Sequence, residues 1–338
     1  MKKGLFKNIL LFIFAIFLCF LLLELGIRFF YPVINVSVLD KEIFRRDDVL
    51  GYVLKPNIDI TKENVGKIFT TRSNSNGLRN DQDYNKGGHP NSFRILGLGD
   101  SVTYGFGVNI EDTYLKILES KLNKVPEKSR RKYEVINAAF PGWSIAQELL
   151  FLVTEGMEYK PDLVTVGFVD DDIFRNDKYY DSTMSLALSS GEMPRENIGR
   201  LAKAESDCAS LVQGLLFTRT KLFPFIFSKT QSLRSEYFMD YSINQTQSIF
   251  LALNEFCNNN DIPLLVVVIP LRKEETTVNN IMISFFKENN IKSLDLRDSF
   301  LRSKQELFLA KDNHPNPEGH KLIAGEIFKY LRGQKNIK

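Results

Sequence analysis

The sequence predicts an α/β protein with a doubly wound parallel sheet, an N-terminal transmembrane helix and a helical insertion. Three observations lead to this prediction. Apolar strand-like runs alternate with helical patterns from about residue 91 onward, an unbroken apolar run occupies residues 9–23, and nearly a hundred residues separate the third predicted strand from the fourth. Continuous apolar strands that alternate with helices are typical of a parallel sheet covered on both faces.

The composition excludes several classes of protein. The 338 residues include 44 Lys and Arg against 41 Asp and Glu, spread along the chain, so no concentrated basic stripe is available for a nucleic acid. We therefore expect no nucleic-acid partner. The three cysteines, Cys19, Cys208 and Cys257, form no short-spaced pair for zinc or redox chemistry, and whether Cys208 and Cys257 form a disulfide is left open.

The amino terminus predicts a membrane anchor. Residues 1–8 read as a cytoplasmic tail and residues 9–30 as a transmembrane segment, because the apolar run to Ile27 covers roughly 28 Å as a helix, close to a hydrocarbon core of about 30 Å. The alternative, a cleaved signal peptide, is disfavoured because no small-x-small cleavage site follows the run. The three lysines before it predict a cytoplasmic amino end of a single-pass inner-membrane protein, with the rest of the chain extracytoplasmic, in the periplasm or at the cell surface.

The remaining chain divides into an extension and a domain. Residues 31–90 lack sustained periodicity and read as a linker with an irregular extension, whereas residues 91–335 read as the α/β domain. Strands are predicted at 94–99, 133–139, 162–168, 262–269 and 291–296. Helices are predicted at 112–122, 144–159 and 277–287, together with one that ends near 258 and a last one that starts near 317. The insertion at about 173–240 reads either as a helical cap or as a lid or membrane-facing patch over the site.

Candidate catalytic residues follow the predicted strands, where the crevice of an open parallel sheet lies. The first strand is followed by Gly99-Asp100-Ser101, and the glycine permits a sharp turn that exposes the serine hydroxyl. The second is followed by Gly142, whose backbone N–H can point into the crevice. Each motif alone also fits a simple structural role, the serine as a helix cap and the glycine as a tight turn.

The histidine-containing loop lies near the carboxyl end, in Asp312-Asn313-His314. Asn316 is predicted to cap a helix whose first residue is Pro317, which fixes the loop before it. Asp312 can accept the Nδ1–H of His314, which leaves Nε2 as a base toward a serine. His320 falls within the helix and reads as structural.

Together these blocks resemble the SGNH (GDSL) hydrolase superfamily, and within it the bacterial membrane-anchored esterase and acyltransferase-like members. The resemblance covers about residues 93–327, and Ser75-Asn76-Gly77-Leu78-Arg79 is also similar to this subgroup. It implies a flavodoxin-like sheet, with Ser101 as nucleophile, Asp312 and His314 completing the triad, and the N–H groups of Ser101 and Gly142 in the oxyanion hole. The superfamily usually has Asp-x-x-His, whereas Asp312 stands two residues before the histidine.

The third block departs from the family pattern. The subgroup usually reads Gly-Phe-x-x-Asn-Asp, whereas this chain has Gly167-Phe168-Val169-Asp170-Asp171-Asp172, so Asp171 occupies the position of the oxyanion-donating asparagine. Losing one such donor typically costs about 3 to 4 kcal/mol of transition-state stabilisation. Burial among like charges would protonate Asp171 and let it donate, and Asn176 is an alternative donor. A solvated acidic loop is the plain alternative, and three adjacent carboxylates form a poor metal site, so neither a metal nor a cofactor is expected.

These observations predict an extracytoplasmic serine esterase whose acyl-enzyme forms on Ser101. The resemblance and the anchor suggest an ester-bearing substrate such as O-acetyl groups of cell-envelope polysaccharide. Two alternatives remain at this stage. One is an O-acyltransferase that discharges the acyl group to a sugar hydroxyl, and the other is a catalytically silent glycan-binding or scaffold protein, which the aspartate at position 171 favours.

Overall fold

A computed structural model of the chain describes residues 40–64, 66–125, 131–176, 235–272, 276–310 and 312–333, together with Asn8, Leu11, Phe12, Phe14, Ala15, Leu18 and Cys19. The chain divides into two compact units, Met1–Val38 with Ala204–Phe238, and Leu39–Lys203 with Met239–Lys338. The first unit lies almost wholly outside the described residues, so the fold given below is that of the second.

Several predicted features fall largely or wholly outside the described residues. These are the anchor at 9–30, most of the insertion at 173–240, and Cys208, whose pairing with Cys257 the sequence leaves open. Cys257 itself is buried. Over the part of the chain that is described, the structure has no helix with both the length and the apolar character needed to cross a bilayer.

Between residues 40 and 333, the described secondary structure includes nine strands, seven α-helices and three short 3₁₀ turns. The strands are β1 (Phe44–Asp47), β2 (Gly51–Leu54), β3 (Asp59–Asn64), β4 (Lys67–Arg72), β5 (Ser92–Gly99), β6 (Lys132–Asn137), β7 (Leu163–Phe168), β8 (Leu264–Val268) and β9 (Ser293–Asp295). The helices are α1 (Ser101–Tyr104), α2 (Tyr114–Lys124), α3 (Ile145–Thr154), α4 (Ser235–Asn259), α5 (Thr277–Glu288), α6 (Arg297–Arg302) and α7 (Pro317–Gly333).

The central sheet confirms the predicted α/β class. It has five parallel strands in the order β6-β5-β7-β8-β9, and each of the five predicted strands forms part of it. Alternate residues of the strands enter two separate apolar clusters. Val266 and Val268 of β8, for example, pack with residues of α3, α4 and α5, whereas Leu265 and Val267 pack with residues of α2 and α7. Both faces of the sheet are therefore covered by helices.

The extension before the sheet is more ordered than its sequence indicates. It contains two antiparallel hairpins, β1 with β2 and β3 with β4, where the sequence predicts irregular structure. The strands are only four to six residues long and alternate weakly between buried and exposed positions, so they give little periodic signal. The hairpins matter for function because β2 carries Tyr52, which contacts the candidate site.

Candidate active site

A sharp turn between β5 and α1 presents Ser101. Gly99 has φ of +152°, and a Cβ atom there would lie 2.1 Å from Thr103 Oγ1, so no other residue fits without moving the helix. Asp100 then caps α1, because its Oδ1 accepts a hydrogen bond of 2.8 Å from the backbone N–H of Val102. Ser101 is the first residue of the helix and is only partly buried. The predicted serine therefore lies in the turn at the carboxyl end of a central strand.

The loop that carries His314 is fixed by Asn316. Asn316 Nδ2 donates to the carbonyl oxygens of Glu306 and Phe308 at 2.9 and 3.1 Å, and its Oδ1 accepts from the backbone N–H of Gly319 at 3.0 Å. The asparagine therefore caps α7 as predicted and also fastens the preceding loop. The carbonyl of His314 accepts from the N–H of Leu309 at 2.9 Å, which closes the loop on itself.

The structure brings Ser101, His314 and Asp312 into one hydrogen-bonded chain. Ser101 Oγ lies 2.7 Å from His314 Nε2, and His314 Nδ1 lies 2.5 Å from Asp312 Oδ1. Because a carboxylate can only accept, Nδ1 carries the ring proton and Nε2 is free to accept from the serine. Asp312 Oδ1 also accepts from the backbone N–H of His314 at 2.8 Å. One carboxylate oxygen therefore fixes both the tautomer and the orientation of the imidazole.

The ring of Phe106 supports the imidazole from the loop after α1. Its centroid lies 4.9 Å from that of His314, at an interplanar angle of 47°. Phe106 also packs against Phe69 of β4 at 5.5 Å. Sequence analysis missed this contact, because a phenylalanine between two glycines carries no signal that it supports a histidine some two hundred residues away.

Backbone N–H groups of Ser101 and Gly142 are available for an oxyanion. Within the described ranges, neither N–H has a hydrogen-bond acceptor. The loop after β6 is held to the end of β5 by a hydrogen bond of 3.1 Å from the N–H of Phe140 to the carbonyl of Gly99. Both donors therefore follow neighbouring strands at the same edge of the sheet.

Tyr52 supports the Gly142 turn from the extension. Its hydroxyl donates to the carbonyl of Pro141 at 2.5 Å, and its own carbonyl accepts from Nε1 of Trp143 at 3.2 Å. Gly142 has φ of +77°, and a Cβ atom there would lie 3.0 Å from the Tyr52 hydroxyl. The backbone conformation therefore favours glycine, and a Cβ atom there would also press against the tyrosine hydroxyl. No sequence pattern in the extension distinguishes Tyr52 as part of the site.

The three aspartates of the third block have different surroundings. They begin a 3₁₀ turn, Asp170–Arg175, directly after β7. Asp170 and Asp172 are buried, whereas the side chain of Asp171 is exposed. Burial raises the pKa of Asp170, and the negative charge of Asp171 raises it further. Burial also raises the pKa of Asp172, and the negative charge of Asp100 raises it further. The expectation that Asp171 is buried among like charges is therefore wrong, because the turn buries its two neighbours instead.

Asn176 does not serve the site as an oxyanion donor. It is completely buried, and its Nδ2 donates to Thr246 Oγ1 at 2.8 Å and to the carbonyl of Asp172 at 3.4 Å. Its Oδ1 accepts from the backbone N–H of Ala146 at 3.3 Å. The side-chain amide of Asn176 therefore joins the third block to α3 and α4. This corrects the prediction that Asn176 is an alternative donor to the oxyanion.

His320 occupies a buried position on α7. Its Nδ1 accepts from the backbone N–H of Tyr114 at 3.2 Å, and its ring stacks on that of Tyr114 at 6.0 Å. This contact joins the start of α7 to the start of α2. Burial lowers the pKa of His320 to about 3, and the positive charge of Arg79 adds to the effect. The imidazole is therefore neutral in the folded protein.

We expect this neutral histidine to make stability depend on pH. Because the folded-state pKa is depressed, its contribution is present above about pH 6.5 and is lost as pH falls toward 3, at about 1.4 kcal/mol per pH unit. Between pH 7.5 and pH 4.5, the unfolding free energy of the parent should fall by about 2 to 3 kcal/mol more than that of His320→Gln. Urea denaturation at the two pH values measures both. The matched variant of an exposed histidine, His89→Gln, should follow the parent. Equal losses in His320→Gln and the parent would contradict this assignment.

Comparisons with known proteins give similarities to solved structures only. No family model matches the sequence, and no curated protein matches it. Solved esterase structures are similar to this chain. A putative lipolytic protein of the G-D-S-L family from Desulfitobacterium hafniense has 17% identity and a TM-score of 0.41, with 70% of this chain and 98% of that chain covered. G-D-S-L is the family that the sequence blocks resemble.

Two further similar structures are those of esterases. The acetylxylan esterase Axe2 from Geobacillus stearothermophilus has 14% identity and a TM-score of 0.44, covering 75% of this chain and 99% of that chain. The esterase EstA from Pseudoalteromonas sp. has 14% identity and a TM-score of 0.42, covering 71% and 96%. Because these similarities are weak, the function proposed for this chain depends on its own sequence blocks and site geometry.

Proposed function

We propose that this protein is an extracytoplasmic serine esterase of the SGNH type that cleaves carboxylic esters through an acyl-enzyme on Ser101. The observation that carries the proposal is the hydrogen-bonded chain from Ser101 Oγ through the imidazole of His314 to Asp312. A serine, a neutral imidazole and a carboxylate in this order form a nucleophile, a general base and the group that orients the base.

The reaction follows from these positions. Ser101 Oγ attacks the ester carbonyl carbon while its proton passes to His314 Nε2, and Asp312 stabilises the imidazolium. The imidazolium then returns the proton to the leaving alcohol as the ester C–O bond breaks, which leaves an acyl-enzyme. His314 next deprotonates a water that attacks the acyl carbon, and the carboxylic acid leaves as Ser101 regains its proton.

Oxyanion stabilisation comes from the backbone in this proposal. The N–H groups of Ser101 and Gly142 are the donors, and their fixed strand-end positions require no reorganisation when charge develops on the carbonyl oxygen. The third donor that the family places on an asparagine is missing, because Asp171 is an exposed carboxylate in that position. The chain is therefore expected to be a slower catalyst than an otherwise equal enzyme with asparagine there.

The substrate class is inferred from the resemblance and from the predicted anchor at 9–30. A tether in the inner membrane with the domain outside the cytoplasm favours esters on envelope components, and we propose O-acetyl groups of cell-envelope polysaccharide. A sugar hydroxyl that replaces water in the second step would make the same site an O-acyltransferase.

Fluorophosphonate labelling of the full-length protein tests the proposal directly. The reagent reacts with a serine only when a neighbouring base activates its hydroxyl. We expect one labelled peptide, which contains Ser101. Glycan binding without labelling and without ester hydrolysis would instead support the silent binding protein, the second candidate that the carboxylate at position 171 favours.

Asp171→Asn should increase activity. The substitution removes a negative charge from the third block and restores an amide donor at the family position, and one oxyanion donor is worth about 10²- to 10³-fold in kcat. We expect a gain of about tenfold or more in the hydrolysis of p-nitrophenyl acetate at neutral pH, since the backbone donors already supply part of the effect. Asp298→Asn, an exposed carboxylate on α6, is the matched control. An unchanged rate in Asp171→Asn would mean that this side chain does not face the oxyanion.

A further inference from the structure

Arg175 joins the nucleophile turn to the third block through a single nitrogen. Its Nη1 lies 2.9 Å from Asp100 Oδ2 and 3.0 Å from Asp172 Oδ1. Both carboxylates are almost completely buried, with side-chain exposures of 2% and 0%. Burial opposes the charge of Arg175, but the carboxylates of Asp172 and Asp100 outweigh it and raise the pKa of the guanidinium above its ordinary value. The guanidinium is therefore positively charged, and it pairs with Asp100, the residue immediately before the nucleophile.

The two oxygens of Asp100 have separate partners. Oδ1 accepts from the backbone N–H of Val102 and caps α1, whereas Oδ2 accepts from Arg175. Oδ2 also lies 3.4 Å from Ser101 Oγ. One carboxylate oxygen thus stands between the guanidinium of Arg175 and the hydroxyl of the nucleophile.

This arrangement gives the hydroxyl of Ser101 two acceptors for one proton. His314 Nε2 at 2.7 Å is the productive acceptor, and Asp100 Oδ2 at 3.4 Å is the competing one. Hydrogen bonds to charged acceptors are stronger than those to neutral ones, so a carboxylate without its own donor would compete well with a neutral imidazole. A serine that donates to Asp100 is turned away from its base.

We propose that Arg175 is a positioning residue that holds Asp100 Oδ2 and thereby keeps the hydroxyl of Ser101 directed at His314. This inference rests on the proposed esterase function, because it concerns the reactivity of Ser101. Arg175 does not contact the reacting atoms itself. It acts through Asp100, by occupying the oxygen that would otherwise accept the proton of the nucleophile.

The surroundings of Asp172 agree with this division of roles. Glu148 of α3 is completely buried in the same cluster. Burial is the main cause that raises its pKa, and the negative charges of Asp172 and Asp100 raise it further. Neither carboxyl oxygen of Glu148 has a hydrogen-bond partner among the described residues. The cluster disfavours negative charge on Glu148 and Asp172, and the carboxylate nearest the nucleophile, Asp100, is paired with Arg175 at 2.9 Å.

A purely structural role for Arg175 predicts a different outcome. In that case, loss of the guanidinium would lower stability, and the surviving folded protein would react normally. The positioning role predicts that the folded protein reacts slowly and that removing the competing carboxylate restores part of the rate. The two readings are separated by the second substitution, Asp100→Asn, since asparagine can still cap α1 through its side-chain oxygen.

The test is the fluorophosphonate labelling rate of Ser101 in the full-length chain, measured per folded molecule. Arg175→Met should react about 10- to 100-fold more slowly than the parent, the range expected when one charge-assisted hydrogen bond is redirected. Arg175→Lys should keep a rate between these two, because an ammonium can hold Asp100 Oδ2 but not both carboxylates with the same geometry. The double variant Arg175→Met with Asp100→Asn should react about five- to tenfold faster than Arg175→Met alone, because the competing acceptor is gone.

A matched control comes from the other end of the same strand. Arg94 is a buried arginine that pairs with Glu134 at 2.7 Å, and it lies near the start of β5, whereas Ser101 follows the end of that strand. Arg94→Met should lower the unfolding midpoint and leave the labelling rate of the folded protein unchanged. If Arg175→Met fails to fold, the comparison of Arg175→Lys with the parent and with Arg175→Lys plus Asp100→Asn carries the same test.

Failure of this inference is distinct from failure of the esterase proposal. No labelling of Ser101 in the parent would overturn the proposed function. Normal labelling in both the parent and Arg175→Met, or a double variant no faster than Arg175→Met, would overturn the positioning role and leave the esterase proposal intact.

Discussion

Replacing Ser101 by alanine should abolish fluorophosphonate labelling and lower the hydrolysis of p-nitrophenyl acetate by about 10⁴- to 10⁶-fold. The Oγ of Ser101 is the nucleophile in the proposed reaction, and its removal takes away the hydroxyl that lies 2.7 Å from the base, His314 Nε2. The two backbone donors would remain, so any residual rate would report their contribution. The measurement is the steady-state rate of the purified full-length protein together with its unfolding midpoint.

Ser144→Ala provides the control for this variant. Ser144 follows the neighbouring strand and caps α3, where its Oγ accepts from the backbone N–H of Gln147 at 3.4 Å. Loss of this cap should cost about 1 kcal/mol of stability and leave the rate of the folded protein unchanged. Hydrolysis by Ser101→Ala at the rate of the parent would refute the enzyme proposal, whatever the labelling result.

The substitution Asp312→Asn should lower kcat/KM by about 10⁴-fold with little loss of stability. The carboxylate accepts from both the ring Nδ1 and the backbone N–H of His314, so it holds the neutral imidazole with Nε2 unprotonated. An asparagine can turn its NH₂ group to the ring and so favour the opposite tautomer, in which Nε2 carries the proton and cannot accept from Ser101.

Measurement of kcat and KM separates this effect from a loss of binding. We expect kcat to fall and KM to change little, because the hydrogen bonds of Asp312 among the described residues stay within its own loop, to the backbone and the imidazole of His314. Asp298→Asn again serves as the control, since its carboxylate is exposed and pairs with Arg302 on the same helix. A variant Asp312→Asn that retains activity within a few fold of the parent would show that this carboxylate does not set the tautomer.

The elements of the central sheet could be predicted because their signals are local. Apolar runs bounded by turn residues predict the five strands, and the structure has each of them within a few residues of the predicted bounds. The helix cap at Asn316 with Pro317 next to it also follows from residue types over a few positions. The hairpins of the extension could not be predicted in this way, because their strands are short and their pairing depends on partners that periodicity does not identify.

Burial of individual carboxylates was decided by the tertiary structure. Three consecutive aspartates are equivalent in sequence, but a 3₁₀ turn after β7 directs Asp170 and Asp172 inward and leaves Asp171 exposed. The pairing of Arg175 with Asp100 joins residues that lie 75 positions apart. Neither result follows from residue type, because both depend on how one loop packs on another.

The sequence by itself determined which chemical groups this protein could use, since a strand-end serine, a strand-end glycine and a capped histidine loop are each defined by their immediate neighbours. Only the tertiary structure decided that these groups meet, because Ser101 and His314 are separated by 213 positions and β9 lies at the far edge of the sheet from β5. The chain must return across the sheet to bring them together. It does so in the segment between β9 and α7, and α7 holds that segment in place, because His320 Nδ1 accepts from the backbone N–H of Tyr114, the first residue of α2.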